Sequence, residues 1–429
     1  MPISLQRLLR SLILNTMLLR ERYQSGVTYN PLSHRVFTDP YPTYRTLRTR
    51  DPIHWSSLSS AWVVSRYQDI DTILRDHRRF SNDFENRTRS RRRQGQLNPA
   101  VDKSMLFVDP PDHTRLRSLV SKAFTPKTIE TMELRVRAIM SELLDQIPDP
   151  ASFDLMQAIA DPLPVIVIAE LIGVPPKDRG QFKVWSDQRA RTLEPTITTR
   201  ERDIATEAGK ALTAYFLGII NERRANPRDD LISALVAVEE GGDKLTEDEM
   251  VVMLRLLLVA GNETTTNLIG NGLLALLRHP DQLQLLRRQP DLMASAIEEL
   301  LRYDAPVQTD IRTALEDMEL GGKLIRKGQG VLLLIGSANR DPEVYSEPDR
   351  LDLTRHETSH IAFGRGIHHC IGAPLARLEG RIAFEMLLER FEDIQLLTDR
   401  PKFKDHVVLR GLETLPTGAR PTRQAAQAY

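Results

Sequence analysis

Cys370 has the most reactive side chain in this sequence, and it is the only cysteine among 429 residues. It lies between a loop that contains Gly364, Gly366 and Gly372 and a segment, Ala373–Phe391, whose apolar residues recur at helical spacing. A cysteine just before a helix meets unpaired backbone N–H groups and the positive end of the helix dipole. Both features favour the thiolate over the thiol. The glycines allow the loop to bend tightly and a flat group to approach it.

Three kinds of chemistry fit this position. A thiolate presented from a tight turn beneath a flat surface suits axial ligation of haem iron. The same cysteine can instead be a small buried hydrophobic residue, which is the commoner role of a lone cysteine. A zinc site built from His368, His369 and Cys370 is the third alternative. Adjacent histidines do not easily reach one metal, however, and no second Cys/His cluster is near in sequence.

A second chemical group lies in a segment predicted to be a long helix. Thr246 is a capping residue followed by acidic residues, and the helix is predicted to run to about Arg278. Leu254 and Leu256–Val259 are apolar on every side of this helix, which predicts burial through the middle of the fold. Glu263 then follows, and a buried acid must be paired, face a cavity or have a function. A polar face in contact with solvent is the alternative.

Two pairs of residues elsewhere share a predicted helix face. His113 and Arg117 are four residues apart, so together they can hold a carboxylate. Glu299 and Arg302 are three residues apart in another predicted helix. The spacing alone is equally compatible with solvent-facing pairs of little energetic value.

The cysteine loop resembles the signature of a known family. Phe363-Gly364-x-Gly366-x-His368-x-Cys370-x-Gly372 is similar at every fixed position to the haem-binding signature of the cytochrome P450 family. The segment 260–264 resembles the oxygen-binding part of that family's long central helix. The resemblance extends from about Asp39 to Pro416 and implies a mainly α cytochrome P450 fold. That fold has about a dozen helices and small β-sheets, with haem between the long central helix and the loop of the cysteine ligand.

The resemblance also implies roles for individual residues. Cys370 would ligate the iron of haem b. Glu263 and Thr264 would be the acid–alcohol pair that delivers protons when dioxygen is activated. The haem propionates would be held by four donors, His113, Arg117, Arg312 and His368. A buried network that braces the loop ahead of the cysteine would consist of Glu299, Arg302 and Arg355. An apolar substrate pocket would be lined by Val259, Val307, Ile311 and Leu412.

The implied activity is that of a haem-thiolate monooxygenase, which uses dioxygen to hydroxylate or epoxidise a hydrophobic small molecule. A peroxide-driven haem-thiolate peroxygenase and a non-catalytic haem sensor or carrier are the alternatives, and the acid–alcohol pair argues against both. The chain has no length left for a flavin or iron–sulfur domain, so we expect ferredoxin and ferredoxin reductase as separate chains. The expected basic docking surface consists of Arg115, Lys122, Lys127 and Arg365.

Two segments have less regular patterns. Asn82–Lys103 is polar and has five arginines between positions 87 and 93, which predicts a solvated loop. Under the resemblance it would be a lid over the pocket, with a mouth for an anionic substrate. Lys183–Thr199 is less regular and would form part of the substrate roof.

The composition limits the class of protein, its domain organisation and its location. Lys plus Arg and Asp plus Glu are both 58, so the formal net charge is zero and nothing global indicates nucleic-acid binding. A single cysteine argues against a secreted disulfide scaffold. We expect one domain over 1–429, with an amphipathic N-terminal extension over 1–35 and a flexible tail over 417–429. The charge-free run Ser11–Leu19 is too short for a transmembrane segment, so we expect an amphipathic helix lying on the protein and a cytoplasmic location. Weak contact with a membrane surface is the alternative for this helix.

Overall fold

The computed structural model describes residues 5–88, 103–240 and 243–422. Four arginines of the basic cluster (Arg89, Arg91, Arg92 and Arg93) and the tail residues 423–429 lie outside these ranges. The described chain is mainly helical. In its first half the α-helices are Leu5–Ser25, His34–Thr38, Tyr41–Arg50, Tyr67–Arg75, Asp112–Ala123, Pro126–Thr131, Glu133–Asp145, Pro162–Ile172, Arg179–Ala190 and Thr199–Ala225. In the second half they are Leu231–Ala237, Glu247–Arg278, Pro280–Arg288, Met293–Tyr303, Ile335–Ala338 and Ala373–Arg390.

The helix Glu247–Arg278, hereafter the central helix, begins as its sequence predicts. The Thr246 side chain accepts a hydrogen bond from the Glu249 N–H, and the Glu249 carboxylate accepts one from the Thr246 N–H. The middle of the helix is buried, and its glycines allow close contacts. A Cβ on Gly272 would lie 2.7 Å from the Phe384 ring, which belongs to the helix Ala373–Arg390, hereafter the ligand helix. The central helix therefore packs directly on the element that follows Cys370.

The strands form small sheets beside the helices. The largest sheet has the order β1-β2-β10-β7-β3, in which only β2 and β10 are parallel. Its strands are β1 (Ile53–Ser56), β2 (Ala61–Val64), β3 (Phe80–Ser81), β7 (Thr309–Ala314) and β10 (Gly330–Leu334). The remaining strands are β4 (Phe153–Asp154), β5 (Glu239–Glu240), β6 (Asp243–Lys244), β8 (Met318–Leu320), β9 (Lys323–Ile325), β11 (Phe391–Leu396), β12 (Lys402–Phe403), β13 (Leu412–Thr414) and β14 (Pro416–Pro421).

The C-terminal tail departs from the prediction of a flexible segment beginning at residue 417. Pro416–Pro421 is strand β14, which lies between β11 and β4 and pairs antiparallel with both. The Thr417 side chain is fully buried. The prediction was wrong for 417–421 because a sheet partner supplies the order that a short polar sequence cannot supply by itself.

The substrate-roof segment is also more regular than expected. The helix Arg179–Ala190, hereafter the roof helix, covers the first half of the stretch Lys183–Thr199, which was predicted to be less regular. It forms because Phe182, Ser186, Arg189 and Ala190 recur at helical spacing and are buried. The polar neighbours of Phe182 hid this pattern in the sequence.

The N-terminal helix Leu5–Ser25 contacts the body of the protein through a buried acid. Glu21 is 1% exposed, and its carboxylate lies 3.3 Å from His54 Nε2 and accepts the N–H groups of Tyr29 and Ser57. His54 Nδ1 lies 2.9 Å from Asp51 on its other side. The helix lies against the protein on the side of Glu21, whereas its leucines at 12 and 19 are exposed.

We expect the His54 contacts to make stability depend on pH. Burial lowers the pKa of His54, but hydrogen bonds and negative charge from Glu21 and Asp51 outweigh it and raise the pKa above 6.5. Lys323, 3.7 Å from Asp51, is the nearby cation. Because the folded-state pKa is raised, the contribution to stability is complete below about pH 6.5 and is lost as the pH rises through the folded-state value.

Chemical unfolding at a series of pH values tests this expectation. The free energy of unfolding should decline between neutral and mildly alkaline pH in the unaltered protein, and His54→Gln should flatten that decline. His34→Gln, which changes an exposed histidine, should leave it in place. Parallel curves for the His54 variant and the unaltered protein would contradict the expectation.

Candidate active site

The cysteine loop has the tight geometry that its glycines predict. Gly364 and Gly366 have φ of +69° and +68°, a region that favours glycine. A Cβ on Gly366 would lie 2.5 Å from the Leu74 carbonyl oxygen, so no larger residue fits there. The Cys370 N–H donates to the Phe363 carbonyl at 2.9 Å, which closes the loop. Pro374 lies in the first turn of the ligand helix, where a missing N–H costs nothing.

The protein around the cysteine does not by itself favour the thiolate. The residue has exposed surface, yet the surrounding protein removes most of the hydration of its sulfur, and this desolvation raises the pKa of the Cys370 thiol. The N–H groups of Gly372 and Ala373 and the Arg117 charge oppose the shift without cancelling it. The expectation that the loop favours the thiolate of Cys370 is therefore wrong for the protein without a bound metal ion. Coordination to a metal ion is what deprotonates such a thiol.

The four predicted propionate donors converge next to this loop. The His113 and His368 rings lie 4.2 Å apart between centroids. Arg117 Nη2 donates to the His369 carbonyl at 2.6 Å, which ties the helix Asp112–Ala123 to the cysteine loop. Arg312 is 4% exposed on β7, where its Nη1 donates to its neighbour's carbonyl and lies 2.8 Å from Asp310.

The electrostatics of this group are those of a site for negative charge. Burial, together with positive charge from His113, Arg312 and Arg117, lowers the pKa of His368 to about 2. Burial and Arg117 likewise lower the pKa of His113 to about 4. Within the described part of the chain, neither ring nitrogen of His113 has a hydrogen-bond partner, although both are buried.

The polar residues Glu263 and Thr264 follow the apolar run of the central helix, hereafter the polar break, and Glu263 belongs to a charged pair. Glu263 is 7% exposed, and its Oε1 accepts from Lys404 Nζ at 2.8 Å. Burial raises the pKa of Glu263, but Lys404, together with His406 and Lys183, outweighs it and holds the pKa below the ordinary value. The adjacent Thr264 hydroxyl donates to the Ala260 carbonyl at 2.7 Å, one turn earlier, as expected for a threonine within a helix.

Comparison with known proteins identifies this combination. The family model "Cytochrome P450" matches residues 53–415. The chain belongs to the cytochrome P450 family. The polyketide biosynthesis cytochrome P450 PksS of Bacillus subtilis (strain 168) is 42% identical over 402 residues, which are 90% of this chain and 98% of the relative. Its solved structure matches with a TM-score of 0.85 and covers 91% and 99% of the two chains, so the predicted P450 fold is confirmed.

Two further relatives of this P450 are named for their activity. Cytochrome P450 monooxygenase PikC of Streptomyces venezuelae is 40% identical over 423 residues, or 95% of this chain and 99% of the relative. Vitamin D(3) 25-hydroxylase of Pseudonocardia autotrophica is 40% identical over 384 residues, or 88% and 93% of the two chains. The prediction of a P450 monooxygenase is thereby confirmed at the level of enzyme class.

The family implies a haem cofactor, and the residues of this P450 fit one. The thiol of Cys370 has exposed surface at the end of a closed loop, and the buried His113 nitrogens require a partner that the described residues do not supply. Arg117, Arg312 and His368 surround that histidine with further donors. A planar group with two carboxylates would satisfy this donor set.

Sequence reasoning missed the contacts that join the central helix, the roof helix and the segment 404–409. Lys404 pairs with Glu263 across 141 residues. Asn262 donates to Ser186 Oγ at 3.1 Å, which links the central helix to the roof helix. Glu194, just after the roof helix, is 2% exposed and accepts three backbone N–H groups from residues 407–409. No local pattern marks any of these partners, because each contact forms only when the chain has folded.

The predicted basic docking surface is partly neutralised. Arg115 forms ion pairs with Glu249 and Asp243, and Arg365 donates to the Ser359 carbonyl and lies 3.5 Å from Asp71. Lys122 and Lys127 are exposed. The positive charge of this surface is therefore smaller than the sequence indicates. Because its two arginines are neutralised, this surface is less suited to bind an acidic partner than the sequence indicates.

Proposed function

We propose that this P450 uses dioxygen to hydroxylate or epoxidise a hydrophobic small molecule, with haem b as its cofactor. The observation that carries the proposal is the polar break in the central helix. A buried Glu263 held charged by Lys404, directly followed by a threonine, is a costly feature that a haem carrier does not need. In an enzyme that consumes protons inside a dry pocket, the pair has a clear purpose.

The residues that would hold the cofactor come from three elements. Cys370 would provide the sulfur ligand of the iron, and His113, Arg117, Arg312 and His368 would donate to the propionates. Haem, when bound, supplies the activation of dioxygen, which amino-acid side chains cannot perform. The four donors matter because two buried carboxylates without partners are energetically costly.

The two polar residues of the central helix have separate tasks in this proposal. Glu263 takes up a proton on its carboxylate from the solvent side. Lys404 and Lys183 interact electrostatically with this carboxylate, and Asp161 interacts with all three groups. The Thr264 hydroxyl then passes the proton into the pocket. Its present hydrogen bond to the Ala260 carbonyl must be exchanged for one to the reacting group.

The proposal includes separate redox partners and an apolar substrate. Electrons would pass from NADH to ferredoxin reductase, then to ferredoxin and from ferredoxin to this P450 in the cytoplasm, and the protein would act as one domain. Val259, Val307 and Ile311 are half-buried and would line the pocket, whereas Leu412 is fully buried in the core. Relatives named for polyketide biosynthesis and for vitamin D(3) hydroxylation support a hydrophobic substrate class.

Two measurements test the proposal. The reduced protein should give the red-shifted carbon monoxide band of a thiolate-ligated haem, and Cys370→Ala should abolish that band. Polyketide, steroid and fatty-acid compounds should then be screened for a spectral shift and for oxygenated product with ferredoxin, ferredoxin reductase and NADH. A normal carbon monoxide band without oxygenated product from any spectrally active compound would favour the sensor or carrier alternative.

Thr264→Ala separates dioxygen chemistry from peroxide-driven chemistry. If Thr264 delivers protons, the variant should bind haem normally but form roughly tenfold less product per NADH oxidised, with hydrogen peroxide accumulating instead. Thr206→Ala, which removes a comparable hydroxyl bonded to the carbonyl four residues earlier, is the matched control. Full product coupling in the Thr264 variant would support the peroxygenase alternative.

A further inference from the structure

The helix Leu5–Ser25 presents an apolar stripe to solvent. Leu12, Leu19 and Tyr23 are 67%, 66% and 93% exposed. At 3.6 residues per turn these three side chains lie within about 40° of one line along the helix. We call them the exposed stripe. Single exposed leucines are ordinary, but an aligned row on one helix marks an interaction surface.

The stripe cannot turn inward, because the opposite side of the helix is fixed. Glu21 lies about 180° around the helix from Leu12. Its buried carboxylate is held by His54, by the Tyr29 N–H at 3.1 Å and by the Ser57 N–H at 2.6 Å. A surface helix normally buries its apolar face and exposes its charges. This helix buries Glu21 and half-buries Leu14 and Leu18 on the same side, but it leaves Leu12 and Leu19 exposed, so the contacts of Glu21 fix its orientation.

The charge of the helix indicates what the stripe contacts. Its sequence has four arginines and one acid, and that acid is the buried Glu21. The exposed charge is therefore entirely positive, with Arg20 and Arg22 exposed beside the stripe. A second copy of the same helix would bring like charges together, whereas an anionic lipid surface complements both the arginines and the leucines. None of the helices in the described ranges is long and apolar enough to cross a membrane.

We propose that the helix Leu5–Ser25 docks this P450 on anionic membranes, lying in the plane of the surface with the exposed stripe among the acyl chains. Arg20 and Arg22 would contact lipid phosphates. The helix precedes residues 53–415, which the family model matches. Docking would bring the enzyme to the phase in which hydrophobic compounds concentrate. The proposal does not depend on the reaction that the enzyme catalyses.

Co-sedimentation of the full-length, haem-loaded protein with lipid vesicles tests the docking. Binding to phosphatidylcholine vesicles that contain phosphatidylglycerol should exceed binding to pure phosphatidylcholine and should fall with added salt. Arg20→Gln with Arg22→Gln should weaken binding by about fivefold per arginine. Leu12→Glu with Leu19→Glu should abolish it. Leu134→Glu, which changes a leucine that is 82% exposed on another helix, should have no effect.

Unchanged carbon monoxide spectra in all variants would show that the fold and the haem site are intact. Absence of binding to either vesicle, or equal loss with the Leu134 variant, would overturn the proposal. So would a dimer in solution that the Leu12/Leu19 variant converts to a monomer, because the occupant of the stripe would then be a second copy of the chain.

Discussion

Replacing Glu299 by glutamine is expected to destabilise the protein by roughly 3–5 kcal/mol, because it removes the charge of the carboxylate that two buried guanidinium groups share. Glu299 is 3% exposed, and its two oxygens accept from Arg302 Nε at 2.6 Å and Nη2 at 2.8 Å. Arg355 Nε lies 3.2 Å from the same carboxylate, and the Asp352 N–H donates to it at 2.9 Å. Glutamine has the same shape but carries no charge.

Guanidinium chloride unfolding followed by circular dichroism measures this loss. Glu207→Gln is the matched control, since Glu207 and Lys210 have the same three-residue spacing but are both 70% exposed. That substitution should cost about 0.5 kcal/mol or less. Equal losses in the two variants would show that burial of the Glu299 network does not determine its contribution.

The second large effect is expected on turnover rather than on stability. Glu263→Gln should lower kcat by about 10²–10⁴-fold, because an amide cannot take up and release a proton. Haem binding and the carbon monoxide band should be retained. A variant with full kcat would show that Glu263 does not deliver protons.

Lys404→Met should act on the same carboxylate through its pKa. Without the lysine, desolvation of Glu263 is less opposed, so the pKa of Glu263 should rise. In the unaltered protein the pKa is lowered, so the ion pair is complete near neutral pH and is lost only as the pH falls through that lowered value. The acid limb of the pH profile of kcat should therefore move to higher pH in the variant.

Lys402→Met is the control for this shift. Lys402 lies two residues away and pairs with Glu413 at 2.7 Å, with both side chains largely exposed. Removing it should leave the pH profile in place. If the pH profile of kcat moved equally in both variants, the cause would be a change in the strands β12 and β13 and not the loss of the Glu263–Lys404 pair.

Local patterns predicted much of the fold. The central helix was predicted with its capping residue, because a Thr246 cap and a long apolar run are properties of neighbouring residues. Glu299 and Arg302 were paired correctly by their helical spacing and by family resemblance. The tight glycine turns before Cys370 likewise needed only local geometry.

Contacts between distant segments were not predictable in the same way. The periodicity of Leu5–Ser25 predicted an amphipathic helix, but the inward face is decided by His54 and Ser57, which the helix sequence does not contain. Lys404 lies in a polar stretch with no distinguishing pattern, and only folding brings it to Glu263. Strand β14 is similarly ordered by β11 and β4 and not by its own composition.

The long separation in sequence between Glu263 and Lys404 also affects the order in which the protein folds during synthesis. The ribosome completes the central helix well before it reaches the segment that contains Lys404, so a nascent chain holds an acid whose counter-charge has not yet been made. Burying that carboxylate alone is costly, and the core around residue 263 should close only when the C-terminal strands arrive. Chains truncated before residue 404 should therefore be poorly packed at this point, even though the sequences of the long helix and the cysteine loop are complete.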